Sequence, residues 1–154
     1  TNAADEDERP GILHRAITGS LERFLGILIE DCGGDFPFWL APVQARVLPI
    51  ADRHAGYAGR VRDELAAAGL RVEVDARGES VGKRIREGEL AKVPYLLVVG
   101  DKEAESAAAS VRARHGEALG TRPLAGLAGV LGALIVTVHD EVPVHEPPLQ
   151  PLKL

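Results

Sequence analysis

The chain has 154 residues, of which 45% are hydrophobic and 27% charged, and its net charge is −5 at pH 7. These values are typical of one globular domain with short appendages and argue against nonspecific binding to nucleic acid. No apolar stretch reaches the ~18 residues of a membrane span. A single cysteine excludes an internal disulfide and fits a reducing compartment. We therefore expect a cytoplasmic protein that does not associate with a membrane.

The N-terminal part combines an acidic start with an amphipathic helix pattern. Residues 1–8 are polar and acidic, and apolar residues then recur at i, i+3, i+4 and i+7 from Leu21 onwards. This spacing predicts a helix over Ser20–Glu30, stopped by the glycines at 33 and 34. The aromatic run Phe36-Pro37-Phe38-Trp39 follows. We expect these rings to fill a joint between the helix and the next domain, with Trp39 largely buried.

The rest of the chain alternates strand and helix patterns. Strands are predicted over Val43–Ile50, Arg71–Asp75 and Tyr95–Val99, and helices over His54–Leu70, from the N-cap Ser80 to before Pro94, and over Leu124–Val136. Ala107–Arg114 is ambiguous by propensity because alanine favours helix. Residues 137–154 contain four prolines and no periodicity, which predicts an extended, mobile tail.

Charge is concentrated in the middle of the chain. Residues 77–92 include five basic and three acidic side chains. The basic ones are Arg77, Lys83, Arg84, Arg86 and Lys92, and the acidic ones are Glu79, Glu87 and Glu89. Mixed charge on an amphipathic helix often indicates only a solvated face. The pattern alone therefore leaves open a binding surface or an ordinary exposed helix.

Three segments, in order, resemble one family. VGKRIREGELAKVPYLLVVGDKE resembles the C-terminal anticodon-binding domain of class II aminoacyl-tRNA synthetases, specifically the threonyl enzymes. FPFWLAPVQARVLP is similar to the entry of that domain, and HRAITGSLERFLGILIE is similar to motif 3 of the catalytic core. Together they cover about residues 9–136.

The resemblance implies a fold and a domain organisation. We expect an α/β domain with a mixed, mostly parallel sheet of about five strands flanked by about three helices, and Ala107–Arg114 becomes a strand. Residues 1–35 would hold a strand–helix remnant of the catalytic core, with its strand near Arg9–Ile17. Residues 36–136 would form the anticodon-binding domain, and 137–154 the tail.

The resemblance also implies which side chains face tRNA. The family positions that read the second and third anticodon bases match Gly78, Arg86, Lys92, Glu103 and Arg112. Gly78 stands where the family usually has asparagine, and Lys92 stands where some members have arginine. These two departures predict looser recognition, since glycine lacks an edge-reading amide and lysine lacks bidentate geometry. Without the resemblance, Arg86 and Glu103 could form an ordinary surface pair, and Arg112 could merely flank a strand.

Catalysis is not expected from the chain alone. Arg23 matches the motif 3 arginine that contacts ATP, but motifs 1 and 2 are missing. His14 matches one of three zinc ligands of the threonyl enzymes, whereas a catalytic zinc site needs all three. We therefore expect no metal and no cofactor, with ATP and zinc used only in a full-length parent.

Two classes of function stay open. The first is a tRNA anticodon-binding module of a threonyl-tRNA synthetase or of a truncated relative. The second is a degenerate paralogue that serves in protein–protein interaction or assembly. The alternatives for a protein partner are the parent's catalytic domain and a second copy of the chain.

Overall fold

The computed structural model describes residues 14–17, 19–116 and 118–136, and the chain divides into two compact units, Thr1–Gly34 and Asp35–Leu154. No helix in these described ranges is long and apolar enough to cross a bilayer. The expected tail, 137–154, and most of the expected strand near Arg9–Ile17 lie outside the described residues. His14 to Ile17 adopt no strand.

The first unit contains helix α1 (Leu21–Cys32). Ser20 Oγ accepts a hydrogen bond from the backbone N–H of Arg23 at 3.4 Å, so Ser20 is the N-cap. Gly33 ends the helix in the left-handed region, with φ 56°, a conformation that glycine adopts without a Cβ clash. The predicted helix is confirmed, and no side chain of α1 is buried.

The second unit is built on a five-stranded mixed sheet. Its strands are β1 (Ala45–Pro49), β2 (Val72–Val74), β3 (Tyr95–Val99), β4 (Ala108–Ala113) and β5 (Ala118–Pro123). The spatial order is β2-β1-β3-β4-β5. β1 runs parallel to β2 and β3, whereas β4 pairs antiparallel with β3 and β5. The predicted α/β class and strand number are confirmed, with two of the four pairings parallel.

Among the described residues, four α-helices accompany the sheet: α2 (Ala55–Ala67), α3 (Val81–Leu90), α4 (Asp101–Glu105) and α5 (Leu124–Val136). One face carries the larger core, in which α2 and α5 contribute Leu65 and Leu127 to a cluster with Leu97 and Val111. The opposite face carries a smaller cluster of Leu48, Val93 and Leu96, against which Ile85 of α3 packs. The sheet is thus covered unequally, and α3 is the long helix on the lightly covered face among the described residues.

Two elements were not predicted at the residue level, β5 and α4. β5 reads ALGTRP, and its glycine and proline hide the alternation that marks a strand. It lies at the edge of the sheet, where such residues are tolerated. α4 is only five residues long, too short for helical periodicity to show. The helix predicted over His54–Leu70 is shorter at both ends. A 3₁₀ turn occupies Asp52–His54 before α2, and α2 ends at Ala67, two residues before the left-handed Gly69.

The expectation that Trp39 is largely buried is wrong. Its exposed fraction is 43%, whereas the neighbouring Phe38 packs edge-to-face on Tyr95 with ring centroids 5.4 Å apart. The backbone turns here, because the N–H groups of residues 40 and 41 both donate to Pro37 O. The buried Gln44 amide donates to Phe38 O at 2.9 Å and accepts from the backbone N–H of Arg71. This anchoring directs Phe38 inwards and leaves Trp39 outside.

Candidate nucleic-acid interface

Helix α3 is placed on the sheet by one serine and one glycine. Ser80 Oγ accepts from the backbone N–H of Lys83 at 3.3 Å and begins the helix, as predicted. Gly88 is buried, and a Cβ added there would lie 2.7 Å from Leu96 Cδ2. The backbone of α3 therefore rests directly on β3, with Arg86 exposed on its outer side.

Arg84 is a structural cation. Its side chain is buried, and it donates to Asp75 O at 2.7 Å and to Pro49 O at 2.8 Å. These carbonyls lie where β2 and β1 end, so Arg84 ties α3 to the ends of two strands. Counting Arg84 among the surface cations of this segment is therefore wrong.

Two of the exposed cations are neutralised by neighbours. Arg77 binds Asp75 through two hydrogen bonds and Glu87 at 2.7 Å, contacts that raise the pKa of Arg77 and lower that of Asp75. Lys83 pairs with Glu79 at 2.8 Å, which raises the pKa of Lys83. Arg86, by contrast, has no ion pair or hydrogen-bond partner among the described residues. The structure thus singles out Arg86 among similar cations.

Arg112 lies on the lightly covered face. It pairs across the β3–β4 ladder with Leu96, and directly opposite residues share a face of the sheet. The residue is half-buried, and its Nε is buried without a hydrogen-bond partner in the described part of the chain. The β4–β5 register shifts at Val111/Arg112, and such irregularities re-aim side chains beside functional sites. A polar group left unpaired in this way favours a ligand.

Glu103 occupies the other end of β3. Its Oε2 accepts from the backbone N–H of Gly100 at 3.0 Å, which caps α4. Gly100 follows β3 and Arg112 opposes Leu96, so four strand residues, about 13 Å, separate the two positions. No ion pair joins Arg86 to Glu103 in the described part of the chain. The surface-pair interpretation of these two side chains is therefore not supported.

Lys92 ends α3 in a strained conformation. It has φ 55°, a left-handed value that is uncommon outside glycine, and its exposed side chain lies just before β3. Lys92 and Arg112 thus lie at the end where β3 begins, whereas Glu103 and Gly78 lie where the parallel strands end. The φ of Gly78 is outside the left-handed region, and a Cβ added there would meet no atom within 4 Å, so an asparagine would fit.

The residues matched to catalysis belong to the first unit. Arg23 and His14 are both exposed. No group of three histidine, cysteine, aspartate or glutamate side chains that could hold a metal comes together within the described ranges. Neither residue gains a partner for its family role in that part of the chain.

Sequence reasoning missed one charged cluster where β1 and β3 end. Asp101 accepts from Arg53 through two hydrogen bonds and contacts the buried His54 Nε2 at 2.8 Å. Hydrogen bonds from Arg53 and then His54 hold the pKa of Asp101 far below its usual range. His54 Nδ1 accepts from the backbone N–H of Ala51, so this ring is held at both nitrogens and serves the fold. The residues are 47 positions apart, and no sequence signal links them.

Known proteins resemble this chain over the same region. The Anticodon binding domain family matches residues 44–134. The threonine–tRNA ligase of Symbiobacterium thermophilum is 61% identical over 120 residues, 78% of this chain and 18% of that protein. That of Dichelobacter nodosus is 47% identical over 137 residues, 89% of this chain and 21% of that protein. The chain thus spans about a fifth of the length of these curated relatives.

Solved structures agree. The RNA binding domain of threonyl-tRNA synthetase from Cryptosporidium parvum has a TM-score of 0.70 and 36% identity, over 79% of this chain and 30% of that one. A prolyl-tRNA synthetase from the same organism shares the fold, with a TM-score of 0.63 and 22% identity, over 75% of this chain and 26% of that one. The family match covers more than half of the sequence. The chain therefore belongs to the anticodon-binding domain family, in the form found in threonyl-tRNA synthetases.

Proposed function

We propose that this chain binds the anticodon arm of a threonine tRNA and reads its second and third anticodon bases. One observation carries the proposal: the half-buried Arg112 keeps a buried, unpartnered Nε on the lightly covered face of the sheet, within the described part of the chain. An unsatisfied buried donor costs ~1–3 kcal/mol, which an accepting ligand recovers. A guanine edge offers two acceptors, O6 and N7, that suit a guanidinium.

In this proposal the other matched residues form an RNA track that starts at Arg112. Arg86 projects a guanidinium with no described partner from the outer side of α3, and Lys92 lies at the helix end nearest to Arg112. Glu103 lies about 13 Å further along β3, and Gly78 follows β2, where the parallel strands end. Unpaired bases are read one after another on their edges, so a track of this length suits a short single strand.

We further propose that the chain by itself does not form threonyl adenylate or threonyl-tRNA. The proposal is supported by the share of its relatives that it spans, about a fifth, and by the exposed positions of Arg23 and His14 in the first unit. The purified chain, incubated with ATP, threonine and tRNA, is expected to match a blank in pyrophosphate exchange. Exchange that disappears in Arg23→Ala would contradict this.

The binding proposal is tested with two tRNAs that differ only in the second and third anticodon bases. Wild type is expected to prefer the threonine anticodon, and Arg86→Ala to lose most of that preference, about 5- to 150-fold for a good bidentate contact. Lys83→Ala is the matched control, because it removes a cation one turn away that is already paired with Glu79. Gly78→Asn is expected to sharpen the preference by restoring an edge-reading amide.

A second candidate function is favoured by the exposed apolar groups. Trp39 is 43% exposed, and Leu21, Phe24 and Ile27 of α1 are exposed as well. Exposed apolar clusters often mark partner sites, and the candidate partners are the parent's catalytic domain and a second copy of the chain. Equal affinity for both tRNAs, unchanged by Arg86→Ala, would favour this protein-interaction function instead.

A further inference from the structure

A polar cleft of about 370 Å³ lies between α3 and β2, beside the track described above. Its charged lining consists of two guanidinium groups and three carboxylates: Arg46, Arg77, Glu73, Asp75 and Glu87. Arg77 directly precedes Gly78, and Glu87 directly follows Arg86. The cleft therefore adjoins the proposed RNA track, although reading of the second and third anticodon bases does not use it.

The guanidinium of Arg77 is held in a fixed plane at this cleft. Its Nε and Nη2 donate to the two oxygens of the buried Asp75 at 2.8 and 2.6 Å, and Nη2 also contacts Glu87 Oε2 at 2.7 Å. The Arg77 side chain nevertheless stays 54% exposed. A guanidinium that is held along its edge by carboxylates and stays more than half exposed can serve as a stacking platform of the kind on which unpaired bases rest.

The charge of the residues that line the cleft determines which part of a nucleotide it can bind. Three carboxylates against two guanidiniums give a net negative lining, which disfavours a phosphate. The partly exposed carboxylates of Glu73 and Glu87 are each engaged by an arginine and keep further lone pairs as acceptors. A base with an exocyclic amino group can donate two hydrogen bonds to these acceptors, whereas uracil offers only its single N3–H donor.

We infer that this cleft is an additional nucleotide subsite, in which one unpaired, amino-bearing base outside the second and third anticodon positions stacks on Arg77 and donates to Glu73 or Glu87. The inference rests on the proposed binding of a threonine tRNA. It adds a contact to a neighbouring nucleotide of the same loop. The subsite therefore contributes affinity that is separable from the reading of the anticodon.

The test uses an anticodon stem–loop RNA with the threonine anticodon, in which each other unpaired loop base is replaced in turn by an abasic site. One replacement is expected to weaken binding to wild type about tenfold. Arg77→Lys keeps the charge beside Asp75 and Glu87 but loses the planar face. Arg77→Lys is expected to bind the intact loop about tenfold more weakly than wild type does. The abasic replacement that weakens binding to wild type should not further reduce the affinity of this variant. Arg62→Lys, at an exposed arginine of α2 paired with Asp63, is the control and should change nothing.

A second variant covers the case in which Arg77→Lys fails to fold. Glu73→Gln leaves the contacts of Arg77 with Asp75 and Glu87 in place and should reduce the preference for an amino-bearing base over uracil at the sensitive position. A wild type that discriminates anticodons but shows no sensitive loop base outside them would overturn the subsite alone. A wild type that does not discriminate anticodons would instead overturn the proposed function, and the subsite with it.

Discussion

Lys92 combines a strained backbone with an exposed cation, and the two can be separated by substitution. Its backbone N–H bonds Glu89 O at 3.0 Å and the following N–H bonds Gly88 O at 3.1 Å, a helix end at which glycine is usual. A side chain in the left-handed region costs ~1–2 kcal/mol. A glycine at this position lowers the free energy of unfolding by ~0.5–1 kcal/mol, because it loses more conformational entropy on folding. Lys92→Gly is therefore expected to raise the free energy of unfolding by about 0.5–1 kcal/mol.

Under the proposed function, the charge of Lys92 contacts tRNA phosphate and offsets the cost of its strained backbone. Lys92→Gly and Lys92→Ala both remove the cation, so both are expected to weaken tRNA binding alike, whichever anticodon is present. Only glycine relieves the strain, so Lys92→Gly should be more stable than Lys92→Ala, which removes the same side-chain charge. Ala107 has φ 49° and is the matched control. Ala107→Gly should stabilise by a similar amount without changing tRNA affinity.

Stability is measured by urea denaturation, and affinity by titration with threonine tRNA at two salt concentrations. Loss of one phosphate contact should reduce the slope of log K against log salt by about one. If Lys92→Gly is more stable and binds tRNA as wild type does, the lysine has no part in binding. If Lys92→Gly is less stable, the argument from backbone strain is refuted.

Two further predictions concern the fold around the interface. Gly82→Ala should stabilise α3 by ~1 kcal/mol, since nothing lies within 4 Å of the added Cβ, whereas Gly88→Ala should lose ~1–3 kcal/mol relative to it by crowding Leu96. Urea denaturation of both variants checks the difference, and equal stabilities would contradict direct contact of α3 with β3. Asp101 has a lowered pKa, so its contribution to stability is present above its unfolded pKa of ~3.9 and is lost as the pH falls through the folded value. The stability gap between wild type and Asp101→Asn should therefore narrow from pH 7 to pH 3, and a constant gap would contradict the ion pair.

The fold was predictable where local pattern and tertiary environment agree. β3 matches its predicted range residue for residue, because an apolar run between Pro94 and Gly100 suits a central strand. The predicted range after Pro123, Leu124–Val136, is helical throughout, as its apolar helical spacing indicates. β4 was predicted from the family resemblance against the propensity of alanine. α4 and β5 were missed because neither is long enough, or regular enough, to show a period.

The residue types of the candidate site could be predicted from the sequence, but the ion pairs that its arginines and lysines form could not. Arg77, Lys83 and Arg86 look alike in sequence, spaced along one charged segment. Only the fold brings Glu87 and Asp75 to Arg77, while it leaves Arg86 without a partner in the described part of the chain. These ion pairs form because β2 ends beside α3 in the fold. The spacing of the residues along the chain does not reveal that arrangement.

Two arginines of this domain each keep a buried Nε without a partner among the described residues, and the surroundings decide what each does. Arg84 is 3% exposed, and each of its two terminal nitrogens donates to a backbone carbonyl, of Asp75 or Pro49, where β2 and β1 end. A ligand could therefore reach it only by displacing α3. Arg112 is half-buried, lies on the lightly covered face, and has a strand irregularity beside it. The same unsatisfied group therefore belongs to a brace of the fold at Arg84 and, in the proposed function, to a binding position at Arg112. An acceptor such as a guanine edge can satisfy the second at no cost to the core, which is why we place the RNA surface at β4 and along α3.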